Sequence, residues 1–237
     1  VDFSPLVCDV HSHLIPGIDD GAKDMETAVE MVQKLHALGY KKLITTPHIM
    51  SDGFPNTPEK ILGGLEKLKV AVAQAGITVE MEAAAEYYLD EAFEAMIGKE
   101  PLMTFGGAKK YLLFETSYVS RPMSLESAIF KLNSHGYTPV LAHPERYAFF
   151  WEASNIDGIK DLIEMGARMQ VNLSSLAGNY SKRAAKIASQ LIDEDLVDFL
   201  GSDLHRPRQA EGIEQAWAVG NRLSKLVHSG RLLNANL

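Results

Sequence analysis

The sequence predicts an α/β fold, a closed or nearly closed barrel of seven βα units. Three observations carry this. Short β-rich runs alternate with longer helical patterns along the chain, the mark of parallel strands joined by helical crossovers. Several of the runs (LVCDV, KLITT, YLLFE, TPVLA) are nearly continuous apolar stretches, as strands covered on both faces must be. Titratable residues collect just beyond the strand ends, where a βα barrel builds its single mouth.

The expected strands are 6–10, 42–46, 77–84, 111–115, 138–142, 168–173 and 196–201. Between the first two, residues 24–38 place Met25, Ala28, Val29, Val32, Leu35 and Leu38 on one stripe and stop at Gly39. Thr57 reads as an N-cap and Pro58 as the first helical residue of a helix that runs to Ala75, before Gly76. Helices over 125–135 and 159–165 stop at Gly136 and Gly166, and helices over 181–194 and 209–229 complete the set. Longer loops at 50–57 and 87–103 are expected on the mouth face. No composition shift, linker or internal repeat divides the 237 residues, so one domain is expected over residues 1–237.

Charge and composition exclude several function classes. Lys plus Arg is 23 against 31 Asp plus Glu, a net charge of −8, so the basic footprint of a nucleic-acid binder is missing. No apolar run approaches the ~20 residues that span a bilayer, and no signal-peptide pattern is visible. A lone cysteine, Cys8, cannot form an internal disulfide, which fits a reducing cytoplasm. Cys8 is followed by DVHSHL, without the arginine and phosphate-cradling loop of a cysteine-dependent phosphatase. It is expected to be a small buried apolar residue. No GxSxG elbow or P-loop occurs.

The chemistry lies in the histidines and acids. Of eight histidines, His11, His13, His48, His143 and His205 fall just past expected strand ends, joined by Asp20, Glu86, Glu115 and Asp203. Every expected strand but the sixth delivers at least one of these groups. His36, His135 and His228 sit in or at the ends of helices, and no chemistry is assigned to them. Like charges ~4 Å apart cost about 4 kcal/mol per pair at an effective dielectric near 20, so crowded carboxylates call for cations. Imidazole and carboxylate together suit borderline-hard divalent ions such as Mn²⁺, Fe²⁺ or Zn²⁺. His11 and His13, two residues apart on a strand, point the same way and reach one ion, while Ser12 faces the other side. Shared among three divalent ions with a bridging carboxylate, this donor set leaves open positions for water and a cationic well suited to a phosphate monoester. Arg146 in HPER and Arg206 and Arg208 in HRPR are the candidate phosphate clamps.

The motifs DVHSHLIPGIDDG, TTPH, AAAEYY, FET, AHPER and GSDLH, in this order, resemble the polymerase-and-histidinol-phosphatase (PHP) superfamily. More narrowly, the chain resembles its bacterial manganese-dependent protein-tyrosine phosphatases of capsular and exopolysaccharide synthesis. The resemblance covers nearly the whole chain. It implies a distorted (β/α)7 barrel with three metal ions, Mn²⁺ first and Fe²⁺ or Zn²⁺ as alternatives. Carried over by motif, His11, His13, Glu86 and Asp203 hold one ion. Glu86, Glu115 and His143 hold the second, and Asp20, rather than Asp19, with His48 and His205 the third. Arg146 matches one phosphate-binding arginine of the family, and either Arg206 or Arg208 the other. The reaction implied is hydrolysis of phosphotyrosine without a covalent phosphoenzyme, and the partner implied is a bacterial tyrosine kinase, dephosphorylated in its C-terminal tyrosine cluster. The alternatives are a histidinol-phosphatase-like enzyme with a narrower pocket, or a non-catalytic metal-binding module.

Overall fold

A computed structural model describes residues 1–151, 156–219 and 221–237. Among these residues the strands are β1 (Cys8–Asp9), β2 (Lys42–Thr45), β3 (His48–Ile49), β4 (Glu80–Ala83), β5 (Glu86–Tyr88), β6 (Tyr111–Glu115), β7 (Thr138–Ala142), β8 (Arg168–Asn172) and β9 (Phe199–Gly201). They form a sheet of order β1-β2-β4 and a second of order β3-β5-β6-β7-β8-β9. Every pairing within both sheets is parallel.

Nine strands stand at seven positions. β2 and β3 are one chain path interrupted at Thr46-Pro47, and β4 and β5 are one path interrupted at Ala84-Ala85. Pro47 has no N–H for a ladder, and these interruptions split the ring into two sheets. Backbone contacts rejoin it. Thr46 N donates to the Ser12 carbonyl at 2.7 Å, His13 N to the Leu204 carbonyl at 3.0 Å and Asp203 N to the His11 carbonyl at 2.7 Å. A parallel bridge pairs Ser12 with Leu204, so the last strand meets the first.

The strand residues sort to two sides with the period of two that a pleat dictates. Ile44, Leu113, Val140, Ala142 and Phe199 pack together in an inner cluster with Cys8 and Tyr111. Leu43, Leu112, Phe114, Leu141 and Leu200 belong to the outer cluster. Contributions to one small inner cluster from both sheets mark a distorted barrel filled with side chains.

The outer layer is made by α1 (Met25–Ala37), α2 (Pro58–Gln74), α3 (Glu91–Met96), α4 (Leu125–Ser134), α5 (Asp157–Glu164), α6 (Lys182–Asp193), α7 (Ala210–Ala218) and α8 (Asn221–Val227). Asp24, Thr57, Asp90 and Ser181 cap α1, α2, α3 and α6 with side chains that accept backbone N–H bonds. Each long helix buries one stripe, as α1 does with Ala28, Met31, Val32 and Leu35. The single helix expected over 209–229 is two helices. Val219 leaves helical geometry at ψ 46°, next to Gly220 in the sequence, whose type is a poor helix former. No helix of the described residues is long and apolar enough to cross a membrane.

Candidate metal centre

The barrel's C-terminal rim gathers the expected side chains. His13, Asp20, His48 and His205 form one group of potential ligands, and His11, Glu86 and His143 a second. His11, His13 and Asp203 form a third, and His48, Glu86 and Glu115 a fourth. Within each group the donor atoms lie within 4.8 Å of one another. His11, His13, His48 and Glu86 recur because the groups share one volume.

Glu86, on β5, is the centre of the array. Its Oε2 lies 3.2 Å from His11 Nε2, 3.4 Å from His13 Nε2 and 3.2 Å from His48 Nδ1. Its Oε1 lies 3.0 Å from His143 Nε2. Oε2 and His48 Nδ1 are nonetheless buried without a hydrogen-bond partner among the described residues. Close approach without hydrogen-bond alignment is what lone pairs converging on a shared cation look like.

Three of the imidazoles have their tautomer fixed from behind. His11 Nδ1 lies 2.7 Å from Gln170 Oε1, His13 Nδ1 2.9 Å from Asp19 Oδ2, and His205 Nδ1 3.0 Å from the Asp203 carbonyl. Each partner is an acceptor, so each Nδ1 carries the proton and each Nε2 turns a lone pair inward. The Nε2 atoms of His11 and His13 are 3.3 Å apart. This donor set, imidazole lone pairs and carboxylates with their outer atoms already engaged, fits divalent cations.

The electrostatics agree. Burial opposes charge on Glu86 and Asp203, yet the neighbouring imidazoles, His11 foremost, hold both carboxyls well below the usual range. Burial likewise opposes charge on His13 and His48. Asp19 beside His13 and Glu86 beside His48 overcome it and raise both, His48 to about 10. The rim thus demands positive charge at these nitrogens, from protons or from metal ions.

Local backbone aims the ligands. His143, directly after β7, and Asp203, two residues after β9, have φ of 36° and 49°, a left-handed conformation rare for residues with side chains and concentrated at functional sites. Gly201 sits where a Cβ would lie 2.7 Å from His11 Cβ and 2.6 Å from Gln170 Nε2. Only glycine leaves room for the His11–Gln170 contact.

A mouth of about 540 Å³ opens above the ligands, walled by Met50, Phe54, Tyr88, Tyr118, Arg146, Tyr180 and Arg206 among others. The loop expected at 50–57 supplies Met50 and Phe54. Arg208 lines a different groove with Glu30, Lys34 and Glu211, which Arg206 also borders. The mouth thus contains Arg146 and Arg206, while Arg208 stands apart.

Several site residues escaped the sequence reading. The sixth expected strand, β8, carries none of the expected ligands, but its inward positions are Gln170 and Asn172, both fully buried. Gln170 donates to Asn172 Oδ1, and Asn172 donates to Asp203 Oδ2 at 2.6 Å. Period-two alternation in RMQVN was the available signal. Asp19, passed over for Asp20 as a ligand, binds His13 from behind and accepts the Gly21 and His48 N–H bonds. Asp20 Oδ1 meets His48 Nε2 at 3.5 Å and His205 Nε2 at 3.3 Å.

A family model described as capsular polysaccharide synthesis, CpsB/CapC, matches residues 7–220. The chain belongs to the CpsB/CapC family. The matched span runs from the residue before β1 to beyond α7, so every side chain of the CpsB/CapC rim lies within it. Tyrosine-protein phosphatase YwqE of Bacillus subtilis (strain 168) is 29% identical over 197 residues, covering 83% of this chain and 76% of that protein. Tyrosine-protein phosphatase CpsB of Streptococcus pneumoniae is 29% identical over 203 residues, covering 83% and 82%. A crystal structure from a study of YwqE and S. pneumoniae CpsB, there called unique metal-dependent tyrosine phosphatases, superposes with a TM-score of 0.83. Its identity is 27%, over 93% of this chain and 90% of that one.

Proposed function

We propose that this chain is a metal-dependent protein-tyrosine phosphatase of capsular polysaccharide synthesis. The observation that carries the proposal is the convergence of five imidazoles and four carboxylates on one rim, beneath a mouth with two arginines, in a chain whose relatives are named tyrosine phosphatases. Three divalent ions, manganese first, are the proposed occupants. His11, His13, Glu86 and Asp203 hold one, Glu86, Glu115 and His143 a second, and Asp20, His48 and His205 the third. The proposed substrate is a phosphotyrosyl protein, a bacterial tyrosine kinase of polysaccharide synthesis. The proposed location is the cytoplasm, in keeping with the lone reduced cysteine.

Divalent ions in such a site supply Lewis acidity and a neutral-pH source of hydroxide. The chain's own residues do the rest. Gln170, Asp19 and the Asp203 carbonyl hold three imidazoles in the ligating tautomer. Arg146 and Arg206 line the mouth and grip phosphoryl oxygens as charge develops on them. Phe54, Tyr88, Tyr118 and Tyr180 wall the mouth with aromatic rings, a lining suited to the phenyl group of phosphotyrosine. A phenolate, with a solution pKa near 10, leaves without strong acid assistance. Cys8 takes no part, being fully buried with its thiol pushed far up by that burial.

The test is a comparison of manganese-reconstituted protein on a phosphotyrosyl peptide and on histidinol phosphate at equal concentrations, with a chelated control. Faster turnover of the peptide, abolished by chelation, is expected. Faster turnover of histidinol phosphate would reassign the substrate, and turnover of neither would favour a binding module.

A further inference from the structure

Arg146 is held more tightly than a phosphate ligand at a solvent-facing mouth needs to be. Its guanidinium carbon lies 4.1 Å from the centroid of the Tyr180 ring and 4.7 Å from that of Tyr118. Its Nη1 donates to Asp203 Oδ2 at 2.9 Å. The three parts come from three neighbouring strands. Tyr118 follows β6, Arg146 follows β7 and Tyr180 follows β8, and these strands are consecutive in the sheet.

Tyr180 touches this assembly through both its ring and its hydroxyl. Its ring covers the guanidinium, and its hydroxyl donates to Asp203 Oδ2 at 3.1 Å, the same oxygen that receives Arg146. Asn172 supplies a third donor to that oxygen at 2.6 Å. The other oxygen, Oδ1, is left facing His11 at 3.5 Å, His13 at 3.6 Å and His205 at 3.4 Å. Asp203 is therefore divided between an outward oxygen that anchors Arg146 and an inward oxygen among the histidines.

We propose that Tyr180 is the positioning residue of the phosphate clamp: its ring fixes Arg146, one edge of which is tied to Asp203, so that only the remaining N–H donors meet the phosphoryl group. This rests on the phosphatase reading of the mouth and adds a residue to it. A long arginine side chain carries much rotamer entropy, and a guanidinium already stacked and tied loses less of its freedom when substrate arrives. The stacked face also excludes water, which strengthens an arginine–aromatic contact.

The experiment compares Tyr180→Leu and Tyr180→Phe with the unaltered protein, all loaded with manganese. It measures inorganic phosphate binding by calorimetry, kcat and KM on a phosphotyrosyl peptide, and bound manganese by elemental analysis. Tyr180→Leu is expected to weaken phosphate binding by roughly tenfold and to raise KM more than it lowers kcat. Tyr180→Phe, which keeps the ring, is expected to stay within about threefold, and both are expected to keep their manganese. Unchanged phosphate binding in Tyr180→Leu overturns the proposal. So does an equal loss in Tyr180→Phe, which would assign the effect to the hydroxyl, and so does loss of manganese, which would assign it to the ligand Asp203. If Tyr180→Leu does not fold by circular dichroism, Tyr180→Met, with similar apolar packing and no ring, is read by the same criteria. Phosphate binding is measured without turnover, so a protein that binds phosphate but cleaves no ester refutes the phosphatase reading and still tests Tyr180.

Discussion

Gln170 Oε1 lies 2.7 Å from His11 Nδ1, across 159 residues of sequence and inside the barrel. Because Gln170 spends its amide N–H on Asn172, the oxygen is the atom facing the ring, and His11 presents Nε2 to the rim. Replacement by leucine keeps the bulk and removes the acceptor. Gln170→Leu is predicted to lower manganese affinity by about 10–100-fold, the usual effect of losing such a support. Competitive calorimetry against a chelator checks this, and an unchanged affinity would remove Gln170 from the account.

His11 and His13 lie in three of the four ligand groups between them. The double substitution His11→Ala, His13→Ala is predicted to abolish both metal loading and turnover while the barrel stays folded. Elemental analysis, peptide turnover and far-UV circular dichroism on one preparation decide it. Wild-type turnover would reject the site.

The arginines separate by position. Arg146→Ala is predicted to cost about 1.5–3 kcal/mol of phosphate capture, the worth of a charge-assisted hydrogen bond, seen mainly as raised KM. Arg206→Ala, at the exposed edge of the mouth, is predicted to act in the same direction and more weakly. Arg208→Ala, in the groove with Glu30 and Lys34, is predicted to change KM by less than about threefold, as surface substitutions do. A loss at Arg208 exceeding that at Arg206 would reverse the assignment.

Asn234 ties the floor of the barrel. Its buried amide donates to the carbonyls of Cys8 and Leu200 at 2.9 and 2.8 Å and accepts from Leu200 N at 3.0 Å. Those bonds join β1 to β9, the two strands after which Ser12 and Leu204 bridge to close the ring. Asn234→Ala is predicted to destabilise the fold by about 2–4 kcal/mol, since it removes three hydrogen bonds and leaves buried backbone groups unpaired. Urea unfolding measures it, and the metal content of the folded protein should not change.

The parallel strands were legible because burial on both faces writes itself as apolar runs, as in YLLFE and TPVLA. The metal-rim candidates were legible because strand ends converge in a barrel wherever the residues lie in the chain. The expected strands end at the breaks Thr46-Pro47 and Ala84-Ala85, but the continuations β3 and β5 beyond them were not legible, since runs of two and three residues are too short to write a pattern. Nor were Gln170, Asn172 and Tyr180. Their side chains carry no charge, and their roles depend on which residue of a distant strand lies opposite. The split of the final helix is hidden because its apolar periodicity carries past Val219, where the backbone turns out of helical geometry.

Anomalous diffraction at the manganese edge, on crystals of this protein soaked in Mn²⁺, tests the central claim most directly. Three peaks are predicted, each within coordination reach of its own set: the HxH pair with Asp203, Glu115 with His143, and Asp20 with His48 and His205. A rim without peaks, its imidazoles and carboxylates turned toward solvent, would contradict it.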